Sequence, residues 1–177
     1  MSEDPRLALL RSRVREVPDF PKPGILFYDL TTVMGDGEAM RACVDLLVER
    51  VRPHEPDVIV AVESRGFIFG APVAAALGVG FAPVRKPGKL PSRTLRRTYD
   101  LEYGTDSLEM HADAVAPGKR AVVVDDLLAT GGTAGATIEL VREQGASVVA
   151  AVFVVELMFL AGRARLGTVP VERLIAY

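Results

Sequence analysis

The sequence predicts an α/β fold, an open, mostly parallel twisted sheet flanked by helices. Three observations carry this reading. Val58–Val62, Val79–Val84, Ala121–Val124 and Ser147–Val155 are apolar almost throughout, as strands covered on both faces must be. Segments of helical period alternate with them. Glycine or proline punctuates most of the junctions.

The elements follow in chain order. Asp4-Pro5 reads as an N-cap with proline at the first helical position, and Leu7, Leu10, Val14 and Val17 then recur at helical spacing. Pro18, Pro21, Pro23 and Gly24 break that helix and set an extended, stiff loop. A second helix runs from Glu38 to Val51, with Met40, Val44, Leu47, Val48 and Val51 on its apolar face. Gly66 to Leu77 reads as a helix stopped by Gly78, and about Gly132 to Gln144 as one closed by Gly145. Arg85 to Arg97 fits neither rhythm, with six basic residues, no acidic one, and Pro87, Gly88 and Pro91. Thr98 to Met110 can return as a short hairpin. No repeat, low-complexity tract or linker divides the 177 residues, so a single domain is expected.

Composition excludes several classes. A net charge of −2 argues against a dedicated nucleic-acid binder. The one cysteine, Cys43, precludes an internal disulfide, and the two histidines lie too far from it to give a metal-ligand spacing. Met1 to Arg15 lacks the apolar core of a signal peptide, and the longest apolar run, Val148–Val155, is too short to span a bilayer. A cytoplasmic protein without a membrane or nucleic-acid partner is expected. His54 and His111 read as surface residues, and Cys43 as packed and inert.

The chemistry concentrates between Val122 and Thr133. A buried strand ends in two carboxylates, Asp125 and Asp126. A turn with Ala129, Thr130 and Gly131 follows, and a helix opens at Gly132-Thr133. In open α/β sheets ligands bind at the carboxyl ends of strands. Glycines admit close backbone approach, N–H groups at a helix start point at an anion, and the threonine hydroxyls add donors. Two carboxylates would repel a bare phosphate, so they face something else, and the hydroxyls of a sugar suit them. The ligand implied is a sugar phosphate. Helix capping alone needs one such polar residue rather than four with two glycines. Neither G-x-x-x-x-G-K nor G-x-G-x-x-G occurs, which removes the main support for P-loop and dinucleotide readings.

This run resembles the 5-phosphoribosyl-1-diphosphate (PRPP) signature of the type I phosphoribosyltransferases. Phe20-Pro-Lys-Pro-Gly24-Ile-Leu-Phe27, Glu63-Ser-Arg-Gly-Phe67, Arg85-Lys-Pro-Gly-Lys-Leu-Pro91, Leu101-Glu-Tyr-Gly104 and Glu156-Leu157 extend the resemblance over nearly the whole chain, toward the family's adenine-specific members. The resemblance implies transfer of the phosphoribosyl group to adenine, giving AMP and diphosphate. It implies a hood over about residues 1–34 and a mobile flap over about 85–110. Ala129 to Thr133 would hold the 5′-phosphate, Asp125 and Asp126 the ribose hydroxyls, and Arg65, Arg85, Lys86 and Lys89 the diphosphate end. Ile25, Phe27 and Leu157 would line the adenine pocket, and Glu102 would be the catalytic group. Mg²⁺ would bridge donor oxygens without direct protein ligation. A homodimer is implied, with a basic flap residue reaching the partner's site, and so is a cis peptide at Glu63-Ser64.

From the residues alone, other readings stay open. Ile25, Phe27 and Leu157 equally suit core packing, Arg65 suits a surface pair with Glu63, Glu102 suits an exposed hairpin, and the basic run suits solvated surface. Tyr28 stands where the adenine enzymes usually carry a basic residue, and Pro87 where some relatives have one. Two rival functions are the same transfer to a 6-oxopurine and a non-catalytic PRPP sensor. The first would require one hydrogen bond of the base pocket to be inverted. The second usually adds a DNA-binding domain, for which this chain has no room.

Overall fold

In the computed structural model, which describes residues 4–100 and 104–177, the chain groups into two compact units, one through Leu46 and one over Leu47–Tyr177. The first opens with α1 (Pro5–Arg13), whose N-cap Asp4 accepts the Arg6 N–H at 2.9 Å. Strands β1 (Arg15–Pro18) and β2 (Leu26–Asp29) then pair antiparallel, from Arg15 against Asp29 to Pro18 against Leu26. The first helix thus ends before Val14 and Val17, which the helical spacing had included, and the loop expected from the prolines survives as the connection over residues 19–25, with only Pro18 drawn into a strand. Pro18 is tolerated because it ends its strand, where no further ladder donor is required. Arg15 Nε donates to Asp29 Oδ2 at 3.0 Å, and with the Thr31 N–H this holds the Asp29 carboxyl down at about 2. A one-turn helix, α2 (Thr31–Met34), leads to α3 (Gly37–Val51), which carries the chain into the second unit.

The second unit is built on a five-stranded sheet in the order β4-β3-β7-β8-β9. Its strands are β3 (Val58–Val62), β4 (Gly80–Val84), β7 (Arg120–Leu128), β8 (Ser147–Glu156) and β9 (Val171–Ala176). Every neighbouring pair is parallel. Helices α4 (Arg65–Leu77) and α5 (Gly132–Glu143) return the chain between strands. The core fills the sheet's faces. Val60, Val123, Ala151 and Phe153 are fully buried, with Leu140 and Val141 of α5 packed in the same cluster. Burying a side chain such as Phe153 contributes about 1.5–3 kcal/mol.

Strand β9 was not anticipated. Pro170 and a single charged alternation, Glu172-Arg173, hide its period, yet it pairs with β8 from Ala151–Val171 onward. Between β4 and β7 lies a separate antiparallel hairpin of β5 (Thr94–Asp100) and β6 (Thr105–His111). The hairpin thus starts four residues earlier than the sequence suggested. His54 also departs from expectation, because its Nε2 lies 2.6 Å from Glu172 Oε1 at a half-buried site. Among the described residues, no helix is long and apolar enough to cross a membrane.

Candidate active site

Parallel pairing places the carboxyl ends of β3 and β7 side by side. Each is followed by a tight turn into a helix, α4 after β3 and α5 after β7. The sequence suggested that the β7 strand ends at the two carboxylates, but it runs on to Leu128. Pairing with β8 continues there, Asp125 against Phe153 and Leu128 against Glu156, whereas β3 accompanies β7 only as far as Val124. One edge of β7 is therefore open from Asp125 onward, and the turn Glu63–Arg65 faces that opening.

A cavity of about 250 Å³ occupies it. Its lining includes Glu63, Ser64 and Arg65 from the first turn, Asp125 and Asp126 from β7, and Ala129, Thr130, Gly131, Gly132 and Thr133 from the second. Lys86 and Tyr99 close another side. Gly131 adopts φ of 83°, the left-handed conformation that glycine takes without cost, and α5 starts at the next residue. Gly66 is required by close approach, since a Cβ there would come within 2.5 Å of Asp125 Oδ1. The Glu63–Ser64 peptide is cis, where the resemblance put it.

The two carboxylates differ in their surroundings. Asp125 is buried, and its Oδ1 accepts the Asp126 N–H at 2.9 Å. Burial, reinforced by the charge of Asp126, pushes its carboxyl well above the usual range. Asp126 Oδ2 lies 2.8 Å from Arg65 Nε, a close charge contact without the alignment of a hydrogen bond. Arg65 therefore faces Asp126, while Glu63 takes the Arg85 Nε at 2.6 Å. No group of three His, Cys, Asp or Glu side chains suited to a metal ion occurs among the described residues.

Four cations of the basic segment, Arg85, Lys86, Arg96 and Arg97, are paired, while Lys89 and Arg93 are exposed. Lys86 is bonded to Asp106, and that bond holds the Asp106 carboxyl low. Burial by itself would lower Lys86, but Asp106 and Tyr99 outweigh it and raise the ammonium. The Tyr99 hydroxyl donates to Asp106 Oδ2 at 3.2 Å and accepts from the Thr133 hydroxyl at 3.2 Å. Glu109 accepts the Gly88 N–H and the Arg96 Nε, both at 2.9 Å.

A phosphoribosyl transferase domain model matches residues 33–167. The adenine phosphoribosyltransferase of Rhodospirillum centenum is 61% identical over 95% of this chain and 98% of its own length. The chain belongs to the adenine phosphoribosyltransferase family. Among solved members of the family, the Thermoanaerobacter pseudethanolicus enzyme superposes with a TM-score of 0.94 at 51% identity, covering 97% of this chain and 99% of that one. The Saccharomyces cerevisiae enzyme, solved with adenine and an imino-altritol bisphosphate, gives 0.90 at 41% identity over 96% and 98%.

Of the residues singled out from sequence, Asp125, Asp126, Ala129 to Thr133, Arg65 and Lys86 line this same cavity. Arg85 meets that lining through Glu63, and Lys89 is exposed and outside it. Leu157 is buried just past β8, its N–H donating to Leu128 O at 2.9 Å. Ile25 is exposed and Phe27 half-buried within the first unit, where Phe27 meets Phe20 edge to face with centroids 5.1 Å apart. Tyr28 is buried, and that burial raises its phenol. Glu102 lies outside the described residues. Sequence reasoning missed Tyr99 and Asp106. Their signal was the register of the hairpin, which sets Tyr99 directly opposite Asp106.

Proposed function

We propose that the chain transfers the 5-phosphoribosyl group of PRPP to adenine, forming AMP and diphosphate for purine salvage. The observation that carries this reading is the convergence of Asp125, Asp126, Arg65 and the turn 129–133 on one cavity. In this reading the backbone N–H groups of Ala129 to Thr133, with the Thr130 and Thr133 hydroxyls, hold the 5′-phosphate. Asp125 and Asp126 accept the ribose hydroxyls. Arg65 and Lys86, with Arg85 and Lys89 arriving as the flap closes, meet the diphosphate. Adenine N9 attacks C1, the C1–O bond to diphosphate breaks, and Glu102 takes the N9 proton. Ile25, Phe27 and Leu157 supply the apolar walls for the base.

Negative charge grows on the leaving diphosphate, so cations fixed there lower the barrier. Mg²⁺, carried on donor oxygens, neutralises part of that charge when bound. The residues present fit this division, because the cavity's two carboxylates stand against Arg65 and the second turn offers donors for phosphate. A closed flap keeps water from the cation-like sugar. A homodimer, with a basic flap residue reaching the partner's site, completes the proposal. It is supported by the exposed Ile68 of α4 and Phe81 of the edge strand β4.

Incubation with Mg²⁺, PRPP and each purine in turn, followed by separation of nucleotides, tests the assignment. AMP from adenine, with little product from hypoxanthine or guanine, is expected. Absence of AMP from a folded protein, or a preference for a 6-oxopurine, would overturn it. Light scattering after gel filtration tests the dimer.

A further inference from the structure

The wall behind the turn 129–131 is not part of the cavity. It is made by the 3₁₀ turn Gly162–Leu166, whose backbone lies against the backbone of the phosphate turn. A Cβ on Gly131 would overlap the Gly162 carbonyl oxygen, and a Cβ on Gly162 would overlap that of Ala129. The obstructing atoms on both sides are main chain, so neither can swing away as a side chain would. Arg165 continues the wall, its Cβ standing 3.2 Å from where a Gly131 Cβ would be.

This wall is itself anchored. Glu156, at the end of β8, is 2% exposed. Its carboxylate takes Arg163 through two bonds, Nε at 2.5 Å and Nη2 at 2.7 Å, and Arg173 of β9 at 3.2 Å. A carboxylate this deeply buried needs its cations, because a partner removed leaves an uncompensated charge. The segment from Glu156 to Arg163 is therefore closed into a loop by its own ends. Gly162 sits beside the closure and presses on Ala129 and Gly131.

We propose that Gly162, held by the Glu156–Arg163 clamp, is a positioning residue for phosphate binding. It touches no substrate. It fixes from behind the amides of Ala129 to Gly131, so that they point at the phosphate before the ligand arrives. Donors that need no reorganisation bind and stabilise charge best. The inference rests on reading 129–133 as the 5′-phosphate turn.

The test compares Gly162→Ala, Arg163→Ala, Arg163→Lys and Thr130→Val with the wild-type enzyme. Affinity for AMP and for adenine is measured by calorimetry, together with KM and kcat. A misplacement of about 1 Å can cost on the order of 100-fold, so Gly162→Ala should weaken AMP and raise KM for PRPP by about 10–100-fold. Adenine affinity should hold. Arg163→Ala should reproduce the pattern in milder form, and Arg163→Lys should recover part of it. This remains readable if Gly162→Ala does not fold. A folded Gly162→Ala with unchanged AMP affinity, beside a Thr130→Val that loses it, overturns the inference alone. Equal losses for AMP and adenine in both the Gly162 and Arg163 variants also overturn it, since that is general damage. A Thr130→Val that keeps full AMP affinity overturns the phosphate-turn reading itself.

Discussion

Arg65 Nε stands 2.8 Å from Asp126 Oδ2, so the head of α4 and the open edge of β7 are joined by opposite charges across the cavity. Asp126 is buried beside Asp125, and the charge of Arg65 offsets part of the rise of the Asp125 carboxyl. In the proposed reading, PRPP entering the cavity divides the pair, taking the guanidinium with its diphosphate and the carboxylate with its ribose hydroxyls.

Arg65 should therefore be costly to lose. Arg65→Ala is expected to lower kcat/KM for PRPP by about 10²–10³, the range for removing one donor from a site of developing charge. Arg65→Lys should fall between, since an ammonium keeps the charge but not the fork. Steady-state kinetics in PRPP, at saturating adenine, measures both.

Asp125 predicts a dependence of stability on pH. Its folded-state carboxyl lies above the ordinary value of 3.8 because of burial and Asp126. The folded chain thus keeps a proton that the unfolded chain releases. Stability from this group is complete below the unfolded value and is lost as pH rises toward the folded one. Asp125→Asn, neutral throughout, should gain in Tm over the wild type as pH is raised from about 4 to 7. It should also lose activity with PRPP. Calorimetric melting at both pH values checks the first point, and a Tm difference independent of pH would refute it.

Glu102 is expected to carry the proton. Glu102→Leu should lower kcat by about 10²–10⁴, the usual contribution of a general acid or base, with PRPP affinity nearly intact. Full activity in the folded variant would remove Glu102 from the mechanism.

Much of this was readable from residue order. The buried strands and their helices were legible because Val58–Val62 and Val148–Val155 are apolar without interruption. The four polar residues and two glycines after Val124 were legible as a ligand turn because capping alone does not require them. The β1–β2 hairpin was not legible. Val14 and Val17 continue the spacing of the first helix, and only pairing between distant residues such as Arg15 and Asp29 makes that stretch a strand. The bond from Thr133 to Tyr99 was hidden for the same reason, since nothing local relates positions 34 residues apart.

The hairpin connection offers a kinetic test. Asp106 bonds both Lys86 and Tyr99, while Glu109 bonds Gly88 and Arg96. These carboxylates tether the basic segment to the hairpin. Asp106→Asn should be cleaved faster by trypsin between Arg85 and Arg97 than the wild type. PRPP with Mg²⁺ should slow cleavage in both. Timed proteolysis with mass detection reads the rates, and identical rates without donor would show that Asp106 restrains nothing.

Cys43 should be silent in the folded protein. It is fully buried, and burial pushes its thiol up to about 12. At neutral pH a thiol reagent should leave native protein unlabelled and label it once in denaturant.

All five sheet strands run the same way, and every lining residue of the cavity comes from β3, β7, the turns after them, the first residues of α4 and α5, or the β4–β5 region. The opposite rim, with the connections at Gly78–Val79 and Ala116–Lys119, contributes none. The protein thus has a working rim and an idle one. Surface loops clear of buried backbone are where chains accept grafts and rearranged connectivity. An affinity handle, a fluorescent reporter or a tether to a solid support belongs at the idle rim, where it would leave the chemistry at the far ends of the strands undisturbed.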